Sequence, residues 1–187
     1  MEDNEKIHAH ILSVWREAKG FFTIGGKEGM LFLTDSHLMF ISKTERTKYW
    51  WEPAVKRQNI AFLRAGSMLV TQDGYNEGDL RIDLENKKNL EITYDNVLEI
   101  SSEKKEWANV MHMKFLHDGE EKDYQFSVVL DWVKYPIKDP MKYLKVDWEP
   151  FIEFVKSRRR ISAVSYTHLR AHETREDRGW GGVGGKK

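Results

Sequence analysis

The sequence predicts a mainly β (α+β) fold. The expected form is an antiparallel β-barrel or sandwich with a C-terminal capping helix, an N-terminal helix and an inserted helix near 53–65. Three observations carry this. Gly20 to Ser42, GFFTIGGKEGMLFLTDSHLMFIS, reads as three short strands joined by two tight turns. Ala108 to Leu130 reads as a long hairpin about Asp118-Gly119. The segment after Asp147 reads as an amphipathic helix whose apolar side needs a sheet to cover.

Asn4 to Lys19 carries Ile7, Ile11, Val14, Trp15 and Ala18 on one helical stripe, with Asp3 or Asn4 as cap and Gly20 as stop. In the next stretch the apolar runs are FFTI, MLFLT and HLMFIS, separated by Gly25 to Gly29 and by Thr34 to Ser36. Gly, Asp and Ser suit tight turns, and turns this short force antiparallel neighbours. A polar turn, Lys43 to Lys48, leads to Tyr49-Trp50-Trp51. Adjacent tryptophans face different sides, so either one is core and the other a surface contact beside Arg46 and Lys48, or both pack against the following helix. Pro53 to Ala65 reads as a helix, with Pro53 in its first turn and Lys56, Arg57 and Arg64 outside its apolar sector.

Met68 to Thr71 is a candidate short strand, and Asp79 to Leu84 fits a strand or one helical turn. Asn89 to Thr93 and Val97 to Ser101 are strands about Tyr94-Asp95-Asn96. In the last hairpin, Tyr124, Phe126, Val128 and Leu130 share one face. Asp131 to Lys145 is a loop with Pro136 and Pro140. Asp147 caps the final helix, and Trp148, Phe151, Ile152, Phe154 and Val155 make its apolar side.

With 30 basic and 30 acidic residues the chain has no net field drawing it to nucleic acid. It has no cysteine, which excludes disulfides, thiolate metal sites and a cysteine nucleophile. No apolar run reaches the roughly 20 residues of a membrane span, and the start, MEDNEKIHAH, is not a secretion signal. The expectation is a soluble, cytoplasmic protein, peripheral to the membrane if it meets one. No phosphate loop, nucleophile elbow or metal-ligand spacing is present. His8 and His10, about 200° apart on the predicted helix, cannot share an ion. No catalytic residue, metal or cofactor is expected.

Strand order and motifs together resemble a pleckstrin-homology-like (PH-like) domain of the GRAM variety, over residues 20–157. The resemblance rests on the glycine turn followed by GMLFLTDSHLMFIS, on NLEITYDNVLEISSEKKEW as the next strand pair, and on the terminal helix. Val164 to Thr174, VSYTHLRAHET, resembles an in-frame translation of a sequencing adapter. The expected organisation is therefore an N-terminal helix at 1–19, a PH/GRAM-like domain at 20–160 and a non-native, disordered tail at 164–187.

The resemblance implies a non-catalytic module that engages a protein partner or a membrane lipid surface. In the family several basic residues in and after the first turn hold phosphoinositides; here that region offers Lys27 alone. Candidate contacts are Lys27, then Arg46, Lys48 and Trp50 after the third strand, and Lys56, Arg57 and Arg64 on the helix. The alternative is a small-ligand-binding barrel or enzyme with a cavity under the terminal helix.

Overall fold

The computed structural model describes residues 5–19, 26–42, 48–65, 68–131 and 142–159. Its strands are β1 (Ala9–Ala18), β2 (Lys27–Leu33), β3 (His37–Ser42), β4 (Leu90–Thr93), β5 (Val97–Lys104), β6 (Asn109–His117), β7 (Glu120–Asp131) and β8 (Lys142–Leu144). The helices are α1 (Lys48–Ala65), α2 (Glu77–Leu84) and α3 (149–159). The mainly β, α+β class with a helix across the sheet is as expected from sequence.

All pairings are antiparallel, in the order β4-β3-β2-β1-β7-β6-β5, with β8 added to the end of β7. β4 and β5 lie at opposite ends of this path, yet only a 3-10 turn, Tyr94–Asn96, joins them. The sheet therefore curls until its two edges meet at a corner without closing into a continuous ladder. Tyr94 fastens the corner, its hydroxyl donating to the Thr34 carbonyl at 2.7 Å.

The N-terminal helix expected over 1–19 is not found among the described residues, where Ala9–Ala18 is strand β1. β1 runs between β2 and β7 and carries a bulge, because Ile11 pairs with Leu31 but Val14 pairs with Gly29. Ser13, inside the bulge, sits at φ 56°. One extra residue shifts the alternation, so Ala9, Ile11 and Val14 all face the inner core. Inward spacings of two, three and two residues imitate part of a helical stripe, and that is why the periodicity misleads.

The expected strand FFTI and the tail 164–187 lie outside the described residues. Met68 to Thr71 forms no strand, but Val70 accepts a hydrogen bond from the His10 amide at 2.7 Å. Residues 79–84 belong to helix α2, which opens with a capping box between Asn76 and Asp79. The expected loop 131–145 ends in β8. α1 starts at Lys48, five residues before the predicted Pro53.

Two cores result. The inner face of the curled sheet packs on α3 through Trp148, Phe151, Ile152 and Val155, with Phe40, Phe115 and Phe126 opposite. Among the described residues these side chains are buried together under α3. On the outer face, α1 and α2 cover β1–β3, burying Leu12, Met30, Phe32, Met39 and Ile41 against Trp51, Ala54, Tyr75 and Leu80. This second layer explains why Met30–Leu33 and Leu38–Ile41 are buried without a break: strands covered on both faces lose their alternation.

His10 sits in this outer core, stacked on Phe32 at 4.2 Å and beside Tyr75 at 5.2 Å. Its Nε2 faces the Met30 sulfur at 3.2 Å, and Nδ1 has no hydrogen-bond partner among the described residues. Burial pushes its pKa down to about 3. The unfolded chain takes up this proton below pH ~6.5 and the folded one does not until about 3, so stability falls as pH drops through that window. The expected slope is about 1.4 kcal/mol per pH unit. Urea midpoints at pH 7 and pH 5 check it: His10→Phe should remove most of the difference, and an unchanged difference would place the acid sensitivity elsewhere.

Candidate functional site

The curled sheet has a mouth where β1 ends and β2 begins. Arg16 pairs directly with Lys27 across these strands and with Phe126 on β7. Directly paired residues share a face, and Phe126 belongs to the inner core. Arg16 and Lys27 therefore both stand on the inner face. One row deeper, Gly29 pairs with Val14 on one side and Ser42 on the other.

The Arg16 side chain lies between two rings, its guanidinium carbon 4.5 Å from the Phe40 centroid and 4.9 Å from that of Tyr124. Gly29 makes this possible. A Cβ there would collide with the Phe40 ring and the Ile41 carbonyl, so only glycine lets Phe40 lie across the floor of the mouth.

Arg16 is only 7% exposed, and its Nη1 has no hydrogen-bond acceptor among the described residues. The buried Ser42 Oγ is likewise without a partner among the described residues. Burial pushes the Arg16 guanidinium below its ordinary value, with the Tyr124 hydroxyl opposing. Arginine still keeps its charge at neutral pH. Lys122, opposite Phe115 and so on the same inner face, binds the Glu120 carboxylate, which raises the lysine's pKa. The acids of the neighbouring positions point away: Glu28 pairs with Trp15 and accepts from Ser13, and Glu17 accepts from Gln125 at 2.8 Å. Among the described residues the inner mouth thus presents a buried guanidinium with no acidic partner, an exposed lysine and a hydroxyl with no hydrogen-bond partner.

A second region is the outer face of α1. Lys56, Arg57 and Arg64 are exposed there as expected, together with Ile60 at 50% and Leu63 at 78% exposure. Beside Leu63 a groove of about 210 Å³ opens between α1 and the segment after β8, lined by Phe62, Met68, Leu144 and Val146.

Of the residues singled out from sequence, Lys27 is at the mouth and Lys56, Arg57 and Arg64 form one helix face. Lys48 is the first residue of α1, and Arg46 lies outside the described residues. Trp51 is the core tryptophan at 3% exposure. Trp50 is half-buried, 5.9 Å from Tyr75 and 6.1 Å from His10 between ring centroids, and is part of the packing under α1. Arg16, Ser42, Tyr124, Ile60 and Leu63 were not singled out from sequence.

His8 and His10 share one strand region but have separate partners: His8 Nε2 is 2.6 Å from Asp35 Oδ1. Among the described residues no group of three or more His, Asp or Glu is placed to hold a metal ion, and no helix is long and apolar enough to cross a membrane.

No family model matches the chain, and no curated protein matches it. Among solved structures, the hSac2 domain from human phosphoinositide phosphatase Sac2 is similar at a TM-score of 0.44 and 9% identity, over 87% of this chain and 74% of that one.

Proposed function

We propose that this chain is a non-catalytic binding module of PH/GRAM-like type, cytoplasmic and peripheral to the membrane, that takes an anionic group at the mouth of its curled sheet. A bilayer or a protein partner can supply that group. The strand order β4-β3-β2-β1-β7-β6-β5 and a helix packed across the inner face support the assignment to this type. The observation that carries the function is Arg16: a guanidinium 7% exposed, its Nη1 without an acceptor among the described residues, facing the same way as Lys27.

An unpaired buried charge destabilises the fold that holds it. A carboxylate or phosphate oxygen supplies the missing acceptor, and a charge-assisted bond of that kind is stronger than a neutral one. Ser42 and Tyr124 add hydroxyls on the same face.

The test is calorimetric titration of the full chain with a soluble polyanion, inositol hexakisphosphate. Arg16→Met keeps an unbranched chain between the two rings and removes the charge. Binding should weaken about 10- to 100-fold, since hydrogen bonds to charged groups contribute about 1.5–3 kcal/mol. The variant should be as stable as the parent or more so. An absence of binding by the parent, or equal Kd values for both proteins, would count against the reading.

A further inference from the structure

The outer face of α1 is a second surface, and nothing in the barrel-mouth reading requires it. At 100° per residue, Leu63, Lys56, Ile60, Arg64 and Arg57 follow one another around the axis within about 120°. All five are exposed, Leu63 most of all at 78%. The helix has one acidic residue, Glu52, which lies about 12 Å along the axis from Ile60, toward the N-terminal end. The opposite side of the helix is already committed to the sheet through Trp51, Ala54 and Gln58.

Both parts of this face need explaining. Three cations on a near-neutral protein are a local feature. Two large aliphatic side chains, Ile60 at 50% and Leu63 at 78% exposure, stand among them. Nucleic acid would use the charge and gain nothing from Ile60 and Leu63. A convex ridge with an aliphatic crest and long basic flanks fits the boundary between lipid headgroups and acyl chains. There the crest enters the apolar layer while lysine and arginine reach back to the phosphates.

We infer that α1 lies flat on an anionic lipid surface, with Ile60 and Leu63 entering the bilayer and Lys56, Arg57 and Arg64 held by acidic headgroups. This contact is separate from the Arg16 mouth and holds whether or not the mouth takes an anion.

The test is co-sedimentation of the full chain with phosphatidylcholine vesicles, with and without phosphatidylserine, at low and physiological salt. The expected result is retention on the phosphatidylserine vesicles that weakens with salt. Ile60→Ser with Leu63→Ser should lower that partitioning about tenfold. Lys56→Glu, Arg57→Glu and Arg64→Glu together should lower it about 100-fold. All five positions are exposed, so circular dichroism and melting should remain those of the parent. No retention, equal retention on neutral vesicles, or a serine variant that partitions like the parent would overturn the inference.

The two surfaces separate cleanly in this assay. The α1 variants should bind inositol hexakisphosphate as the parent does, and Arg16→Met should still sediment with phosphatidylserine vesicles. Failure at the mouth therefore leaves this result unaffected, and failure on α1 leaves the mouth unaffected.

Discussion

Replacing Gln58 by leucine is expected to lower the free energy of unfolding by about 2–6 kcal/mol. The bulge in β1 takes the amide and carbonyl of Leu12 out of the β-ladder, and both are buried. Gln58, on α1 and 1% exposed, satisfies them together: its Oε1 accepts from the Leu12 amide at 2.7 Å and its Nε2 donates to the Leu12 carbonyl at 3.0 Å. Leucine has similar size and offers neither group. Two buried backbone groups then go unpaired, at roughly 1–3 kcal/mol each. The same two bonds dock α1 on the sheet, so the Leu12 amide should also exchange with solvent much faster. Urea unfolding and hydrogen exchange check both effects. A loss under about 1 kcal/mol would mean that the bulge is held some other way.

Trp148→Ala should cost about 3–5 kcal/mol, the range for truncating a large buried aromatic. Trp148 is 1% exposed, meets Phe151 edge-on at 5.8 Å, and donates from Nε1 to the Asn109 carbonyl at 3.0 Å. It therefore pins the start of α3 to the start of β6. The Asn109 side chain makes the return contact, donating to the Val146 carbonyl at 2.6 Å. Trp148→Phe keeps most of the apolar volume and should lose only about 1 kcal/mol, the hydrogen bond. Denaturant titrations of both variants give the comparison. Similar losses from the two would show that the hydrogen bond outweighs the packing.

Most of the sheet was legible in the sequence. The second and third apolar runs became β2 and β3, and Asp118-Gly119 became the β6–β7 turn, both residues at positive φ. The terminal helix was legible because Trp148, Phe151, Ile152 and Val155 keep helical spacing over a clear cap at Asp147. β1 was not, since one bulge residue at Ser13 makes a strand resemble a helix. That error also hid the site. On a regular strand Trp15 would face inward and Arg16 outward; the extra residue reverses them. No local pattern marks Arg16 as a buried cation, because its burial depends on Phe40 and Tyr124 from other strands. Lys56, Arg57 and Arg64 were visible as a face, but Ile60 and Leu63 were not. Their exposure depends on which side of α1 meets the sheet, and Gln58 helps to set that side.

The most direct measurement is a side-chain ¹H–¹⁵N NMR titration of the arginine guanidinium groups with inositol hexakisphosphate. If the mouth takes an anion, the Arg16 signal shifts in proportion to occupancy and saturates, while Arg57 and Arg64 on α1 move little. An Arg16 signal that stays fixed through the titration, with shifts confined to the exposed α1 arginines, would contradict the account.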